Sequence, residues 1–319
     1  MHKLIAVVAG LMLGLGQLAL VGFGFGGGAL AAATCQPAGS SGMTAVIVAT
    51  SGQTISGAID AAGCDNGVYV GPGVTGVTIH TSTITGANAH AIYVQDTSGV
   101  TIEHNAVTNN APMGEIFEET KAIQVTGSSH VVIQHNVVNN NGGGGIAVID
   151  DGDFNASGPN PGMALPGNDN VIAQNTVLDS DPNGGCGIVV AAYNPGEGVS
   201  GNQIVGNVVN KNPAGIVVAA DAPNTTATDN RVVNNTANQN GFAGIIIHSN
   251  APGDYVAGNM VVNNSVSGNF SGIGILVEAV APTAVLSNTK VVNNRVSDQT
   301  DPIEYSSSTN TMVVANKIS

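Results

Sequence analysis

One pattern constrains this chain more than any other: apolar-x-x-Asn-x-apolar, repeated along most of its length. Clear copies are Ile102 to Val107 (IEHNAV), Ile133 to Val138 (IQHNVV), Ile172 to Val177 (IAQNTV) and Ile204 to Val209 (IVGNVV). The polar slot holds Ser82 in a degenerate first copy and then Asn105, Asn136, Asn175, Asn207, Asn235, Asn264, Asn294 and Asn316, at intervals of 22 to 39 residues. Apolar residues at spacings of two around a fixed polar residue describe short strands meeting at a corner rather than helices. A second motif runs in phase with the first: Ala91-Ile92, Ala122-Ile123, Gly145-Ile146, Gly187-Ile188, Gly215-Ile216, Gly244-Ile245, Gly274-Ile275 and Pro302-Ile303. Four intervals between the motifs carry a Pro seven residues after the Ile, at Pro195, Pro223, Pro252 and Pro282. Length variation that returns to a fixed corner is what a stacked coil predicts.

Each repeat therefore supplies one coil of a parallel β-helix, whose strands pair with the coils before and after it at about 4.8 Å. The Asn column has a physical reason in such a fold. A buried side-chain amide without a partner costs roughly 1 to 3 kcal/mol. Stacked in register, each amide finds its partner one coil away, as in other stacked β structures.

Composition excludes several classes. The 319 residues carry a formal net charge of −14 and only 9% charged residues, yet 43% are hydrophobic. A basic nucleic-acid binder, an acidic disordered tail and a coiled coil are all ruled out. Residues 1–33 carry a Lys near the start and a long Leu/Val/Gly/Ala run that ends in Ala31-Ala32-Ala33, which reads as a secretory signal peptide. An uncleaved membrane anchor is the alternative reading of the same stretch. No later apolar run is long enough to span a membrane. Export to an oxidising compartment makes a Cys35–Cys64 disulfide the preferred pairing and leaves Cys186 as a small thiol.

The segment Thr54 to Ala62 (TISGAIDAA) is expected to form a short amphipathic helix that caps the first coil, followed by Val68-Tyr69-Val70 and the turn Gly71-Pro72-Gly73. With this cap, the AIDAA segment leading to VYVGPG and the NxVxNN…GIxV coils, the chain resembles the right-handed parallel β-helix proteins of the pectate-lyase-like superfamily over about residues 50–319. The resemblance implies an all-β fold: a right-handed parallel β-helix of about nine coils with a short N-terminal capping helix. The expected organisation is a signal peptide at 1–33, an N-terminal cap at 34–73 and the β-helix at 74–319. It also implies carbohydrate as the partner, but not which chemistry.

Residues must decide the chemistry. The polygalacturonases of the superfamily use NTD, DD, GHG and RIK motifs on successive coils; here only Asp150-Asp151 offers a DD, and the neighbouring strands carry neither a matching His nor a matching Asp. A polysaccharide lyase or uronan epimerase needs a base, and a cation for the charge that develops at the uronate carboxylate. Lys121 is the leading cation, beside a loop that brings Glu115, Glu118 and Glu119. His104 and His135 fall in the same slot of neighbouring coils and should stack, with His80, Glu103 and Gln134 in the adjacent column. The other cations, Lys211, Arg231, Lys290, Arg295 and Lys317, are expected mostly at corners of separate coils. Alternating Asp151, Asp153, Asn155 and Ser157 offer oxygen ligands for calcium, although Ala156 and Gly162 depart from the usual loop.

Two apolar columns, Val189/Val217/Ile246/Leu276 and Val205/Val233/Val262/Val292, are expected to face outward, which would place any ligand groove on the polar first three coils. The last coil has no capping helix and is expected to self-associate or to be poorly ordered. Sparse cations and the absence of Trp favour a secreted or extracellular protein that associates with polysaccharide at the cell surface, binding or structural, without catalysis. The alternative is a polysaccharide lyase or uronan epimerase acting on an acidic glycan.

Overall fold

The β-branched strands of the repeats pair with their neighbours one coil away in every case. The computed structural model describes residues 34–39, 42–111, 121–150, 165–178 and 185–319. The chain divides into two units, Met1–Ala31 and Ala32–Ser319, and the described residues all lie in the second. Three sheets run through it, with 11, 18 and 5 strands. Within the 11-stranded sheet only Gln36–Pro37 pairs antiparallel, with Thr44–Val48; every other pairing in the three sheets is parallel. The 18-stranded sheet is a double ladder: strands such as Gln203–Val205 and Val208–Asn210 follow each other in one coil, and each pairs with its equivalents in adjacent coils.

Register follows the two motifs. The Ile of the second motif forms one continuous inward column, Ile92, Ile123, Ile146, Ile188, Ile216, Ile245, Ile275 and Ile303. Opposite it stand Ile102, Ile133, Ile172 and Ile204, all fully buried and paired in sequence. Because side chains alternate across a strand, one such column fixes which residues of every coil face out.

The corners are built from a left-handed residue followed by a buried Asn. Thr81, His104, His135, Gln174, Gly206, Asn234, Asn263, Asn293 and Ala315 all have φ between 51° and 68°. After this bend each Asn side chain lies inside the coil. Asn105 Nδ2 donates to Asn136 Oδ1 at 3.0 Å and to the Ile79 carbonyl at 2.9 Å, while Asn136 Oδ1 also accepts the Asn105 backbone N–H. The same amide-to-amide bond continues through Asn175, Asn207, Asn235, Asn264, Asn294 and Asn316 at 2.9–3.1 Å. Two further columns were not read from the sequence. One pairs Asn110 with Asn141 and, in later coils, joins Asn212, Asn240 and Asn269; the other runs Asn170, Asn202, Asn230 and Asn259. Their signal is nonetheless present: Val209-x-x-Asn212 and Val266-x-x-Asn269 carry the same apolar-x-x-Asn spacing, and Val199 to Ile204 (VSGNQI) and Val256 to Val261 (VAGNMV) fit the full pattern.

The N-terminal helix is corrected. Thr54–Asp60 is a strand, parallel to Thr78–Thr85, and no helix occurs among the described residues. Ile55 and Ile59, the buried pair, are four apart, a spacing that a helix face and one side of a strand share. A ready parallel partner and Gly57 at φ 102°, with a register shift between Ile55 and Gly57, decide for the strand. Coiling has thus begun by Thr44–Val48, inside the segment expected as a cap. Cys35 and Cys64 are joined by a disulfide that ties this first coil to the strand Gln36–Pro37.

Candidate functional site

Outward positions define two faces. On the double ladder, strand by strand, one outward column reads Gln203, Arg231, Met260, Lys290 and Met312. Beyond the corner, another reads Val208, Thr236, Ser265, Arg295 and Lys317. Arg231 and Lys290 therefore stand on one flank of this corner and Arg295 and Lys317 on the other, each opening a strand, and all are exposed. This corrects the expectation that the cations sit at corners of separate coils; only Lys211, with φ 58°, is at a corner. The left-handed residue precedes the buried Asn, so the residue after that Asn already belongs to a strand. Between the two cation columns runs Val205, Val233, Val262 and Val292, half-buried rather than open.

At the other end of the same sheet His104 and His135 stack, their ring centroids 4.8 Å apart and their planes within 1°. Both are exposed at left-handed corner positions. Beside them Gln134 Nε2 donates to Glu103 Oε2 at 2.8 Å, and His80 pairs in register with Glu103.

Lys121 is not with them. It lies just before the strand Ile123–Thr126 of the 11-stranded sheet and is only 3% exposed, with its Nζ donating to the Gly143 carbonyl at 3.1 Å. The Lys121 carbonyl accepts a hydrogen bond from His90 Nδ1 at 2.8 Å, which places the imidazole proton on Nδ1. Burial, only partly opposed by this bond, drives the His90 pKa down to about 4. His90 packs on Tyr93 (4.9 Å between rings) and Tyr93 on Tyr69 (5.6 Å). Tyr69 Oη donates to Gln95 Oε1 at 2.8 Å, and the Thr126 hydroxyl to Tyr93 Oη at 3.3 Å. Tyr69 and Tyr93 also form a buried cluster with Ala38 and Ala45, so they anchor the N-terminal strands.

In the middle of this sheet Val189, Val217, Ile246 and Leu276 form one column, as the parity predicts, but they are buried, packed with Ala147, Ile149, Ala191 and Ala219. Asp150 is buried and accepts the backbone N–H groups of Tyr193 and Asn194, so half of the DD pair serves a turn. Asp151, Asp153, Asn155 and Ser157, with Glu115, Glu118 and Glu119, lie outside the described residues. Among the described residues no cluster of His, Cys, Asp and Glu is suited to a metal ion. Burial pushes the Cys186 thiol up, which keeps it protonated and a poor nucleophile.

One ionisable cluster was missed. His248 Nε2 lies 3.2 Å from Asp221 Oδ1, and Glu278 stands in register beside His248 on the next coil. Burial lowers the His248 pKa, but the Asp221 carboxylate, then Glu278 and Asp254, outweigh it and raise the value above 6.5. Burial raises Glu278, against the pull of His248. The signal was available: His248 and Glu278 are two residues after the outward Ile246 and Leu276.

The family model for the right handed beta helix region matches residues 39–160. The chain is a right-handed parallel β-helix. Solved β-helices agree. The A-module of Azotobacter vinelandii mannuronan C-5 epimerase AlgE4 superposes with TM-score 0.51 at 13% identity, over 90% of this chain and 85% of that one. PfbA, a surface adhesin of Streptococcus pneumoniae, gives 0.50 at 13% identity over 87% and 84%. The catalytic domain of a GH87 alpha-1,3-glucanase in complex with nigerose gives 0.50 at 13% identity, over 84% of this chain and 52% of that one. No curated protein sequence matches this β-helix. An epimerase, an adhesin and a glucanase on one scaffold mean that the fold leaves the activity open.

Proposed function

We propose that this β-helix is an exported protein that binds polysaccharide, without catalysis, on the outer face of its 18-stranded sheet. The carrying observation is the in-register outward columns: Thr236 beside Ser265, and Asn238 beside Ser267 and Ser297, with Asn210 Oδ1 accepting the Asn238 backbone N–H at 2.8 Å. A linear polymer laid along the coil axis meets an amide or hydroxyl side chain on four successive coils, at Asn210, Asn238, Ser267 and Ser297. Polysaccharide-handling β-helices such as the mannuronan epimerase and the glucanase support the same partner class. The disulfide suits an oxidising compartment outside the cytoplasm, and among the described residues no helix is long and apolar enough to cross a membrane. A glycan microarray followed by titration calorimetry tests the reading. Retention of at least one polysaccharide with no change in its chain length or unsaturation is expected, and failure to retain any overturns it.

The catalytic alternative, a lyase or uronan epimerase, has the His248–Asp221 pair with Glu278 in its favour. A raised pKa, however, favours the protonated form of His248, which cannot act as a base, and the exposed cations stand on another sheet. New ultraviolet absorbance from unsaturated uronate ends, lost in His248→Asn, Lys121→Ala or His135→Ala, would favour this alternative. Assays run with and without calcium also test the loop at Asp151 to Ser157.

A further inference from the structure

Four of the seven Lys and Arg residues of this acidic chain flank one corner of the coils from Arg231 onward. Arg231 and Lys290 share a column with Met260 between them, and Arg295 and Lys317 are direct neighbours in the next. All four are exposed. Among the described residues the one ion pair is His248–Asp221, so none of the four is held by a carboxylate. The strands of these two flanks from Arg231 onward contain no Asp or Glu; the nearest carboxylates, Asp229 and Asp298, stand at corners.

We infer that this strip binds the anionic groups of an acidic polysaccharide whose chain lies along the coil axis, over Val233, Val262 and Val292 and between the two cation columns. The inference rests on the polysaccharide reading and narrows it to a polyanion. Screening limits the reach of charge to about 8 Å at physiological salt, so a ligand here feels the four cations, with Asp229 and Asp298 at the adjoining corners, rather than the other acids that dominate the net charge of −14. Single exposed pairs are weak, but cations one and two coils apart engage successive charges of one polymer, and the contacts reinforce each other. A nucleic acid fits less well, because the outward positions of this face carry no aromatic side chain on which bases could stack. The stacked His104 and His135 continue the same face but stand several coils away.

The test uses the full chain and size-matched oligomers of a polyuronate and a neutral glucan, with calorimetry in low and high salt. For the polyuronate, we expect binding that weakens steeply with salt and falls at least tenfold in Arg295→Gln/Lys317→Gln. The variant should keep the parent melting temperature, because both side chains are exposed. Arg231→Gln/Lys290→Gln should lower the same affinity and leave binding of the neutral glucan unchanged. Polyuronate binding that ignores both variants and salt overturns the strip while leaving the polysaccharide reading in place, as does binding of the neutral glucan alone. Binding of neither glycan overturns both. Variant-sensitive capture of DNA or of vesicles rich in phosphatidylserine, with no polyuronate bound, overturns the choice of partner.

Discussion

At the residue scale the corner Asn residues hold the coils in register. Asn207 Nδ2 donates to Asn235 Oδ1 and to the Ile172 carbonyl, while its Oδ1 accepts from the backbone and side-chain nitrogens of Asn175. Removing the amide leaves these buried partners unmade, so Asn207→Ala should cost about 3 kcal/mol. Urea unfolding checks it, and a loss below 1 kcal/mol would mean that the corner is held otherwise. His90 gives a signed pH dependence. Its folded pKa of about 4 lies below the ordinary 6.5, so the unfolded chain binds its proton more readily. The neutral imidazole therefore contributes fully above pH 6.5, and the contribution is lost as pH falls from 6.5 through 4, about 3 kcal/mol in all. Melting curves of the parent and of His90→Gln should converge on acidification across that window; parallel curves would contradict it.

At the element scale the Gly of the second motif is steric. A Cβ at Gly215 would lie 2.1 Å from the Gly244 carbonyl oxygen of the next coil. Gly215→Ala should therefore force the two coils apart and destabilise the protein by roughly 1–3 kcal/mol, read as a lowered melting temperature. In two early coils Ala91 and Ala122 occupy the equivalent place, but Gly67 of the coil before them again leaves no room, its Cβ falling 2.6 Å from the Ala91 carbonyl oxygen, so the close approach recurs at both ends of the series. The strand at Thr54–Asp60 carries the same lesson: Ile55 and Ile59 were legible as a buried pair, but only a parallel neighbour decides between helix and strand.

At the scale of the whole molecule each coil contacts only its neighbours, so stability varies along the axis. In the coil from Asp301 onward Tyr305, Met312, Val314 and Ile318 are 46–57% exposed. Hydrogen exchange in dilute solution should be fastest in the strands from Asp301–Ser306 onward and slowest near Ile188–Ala192. Equal protection at both places would show that the last coil is covered, and a concentration-dependent slowing would point to self-association there.

The sequence by itself determined the coil, its inward Ile column and one polar column, because alternation and a fixed corner residue are local and repeat with every coil. It also carried the parity that places His248 and Glu278 on the outer face. Tertiary structure alone decided what lies beside what across coils of unequal length. It gathered Arg231, Lys290, Arg295 and Lys317 along the two flanks of one corner, parted Lys121 from His104 and His135, and buried His90. Those relations depend on where each coil closes, and coil lengths that vary between 22 and 39 residues hide that from the linear spacing.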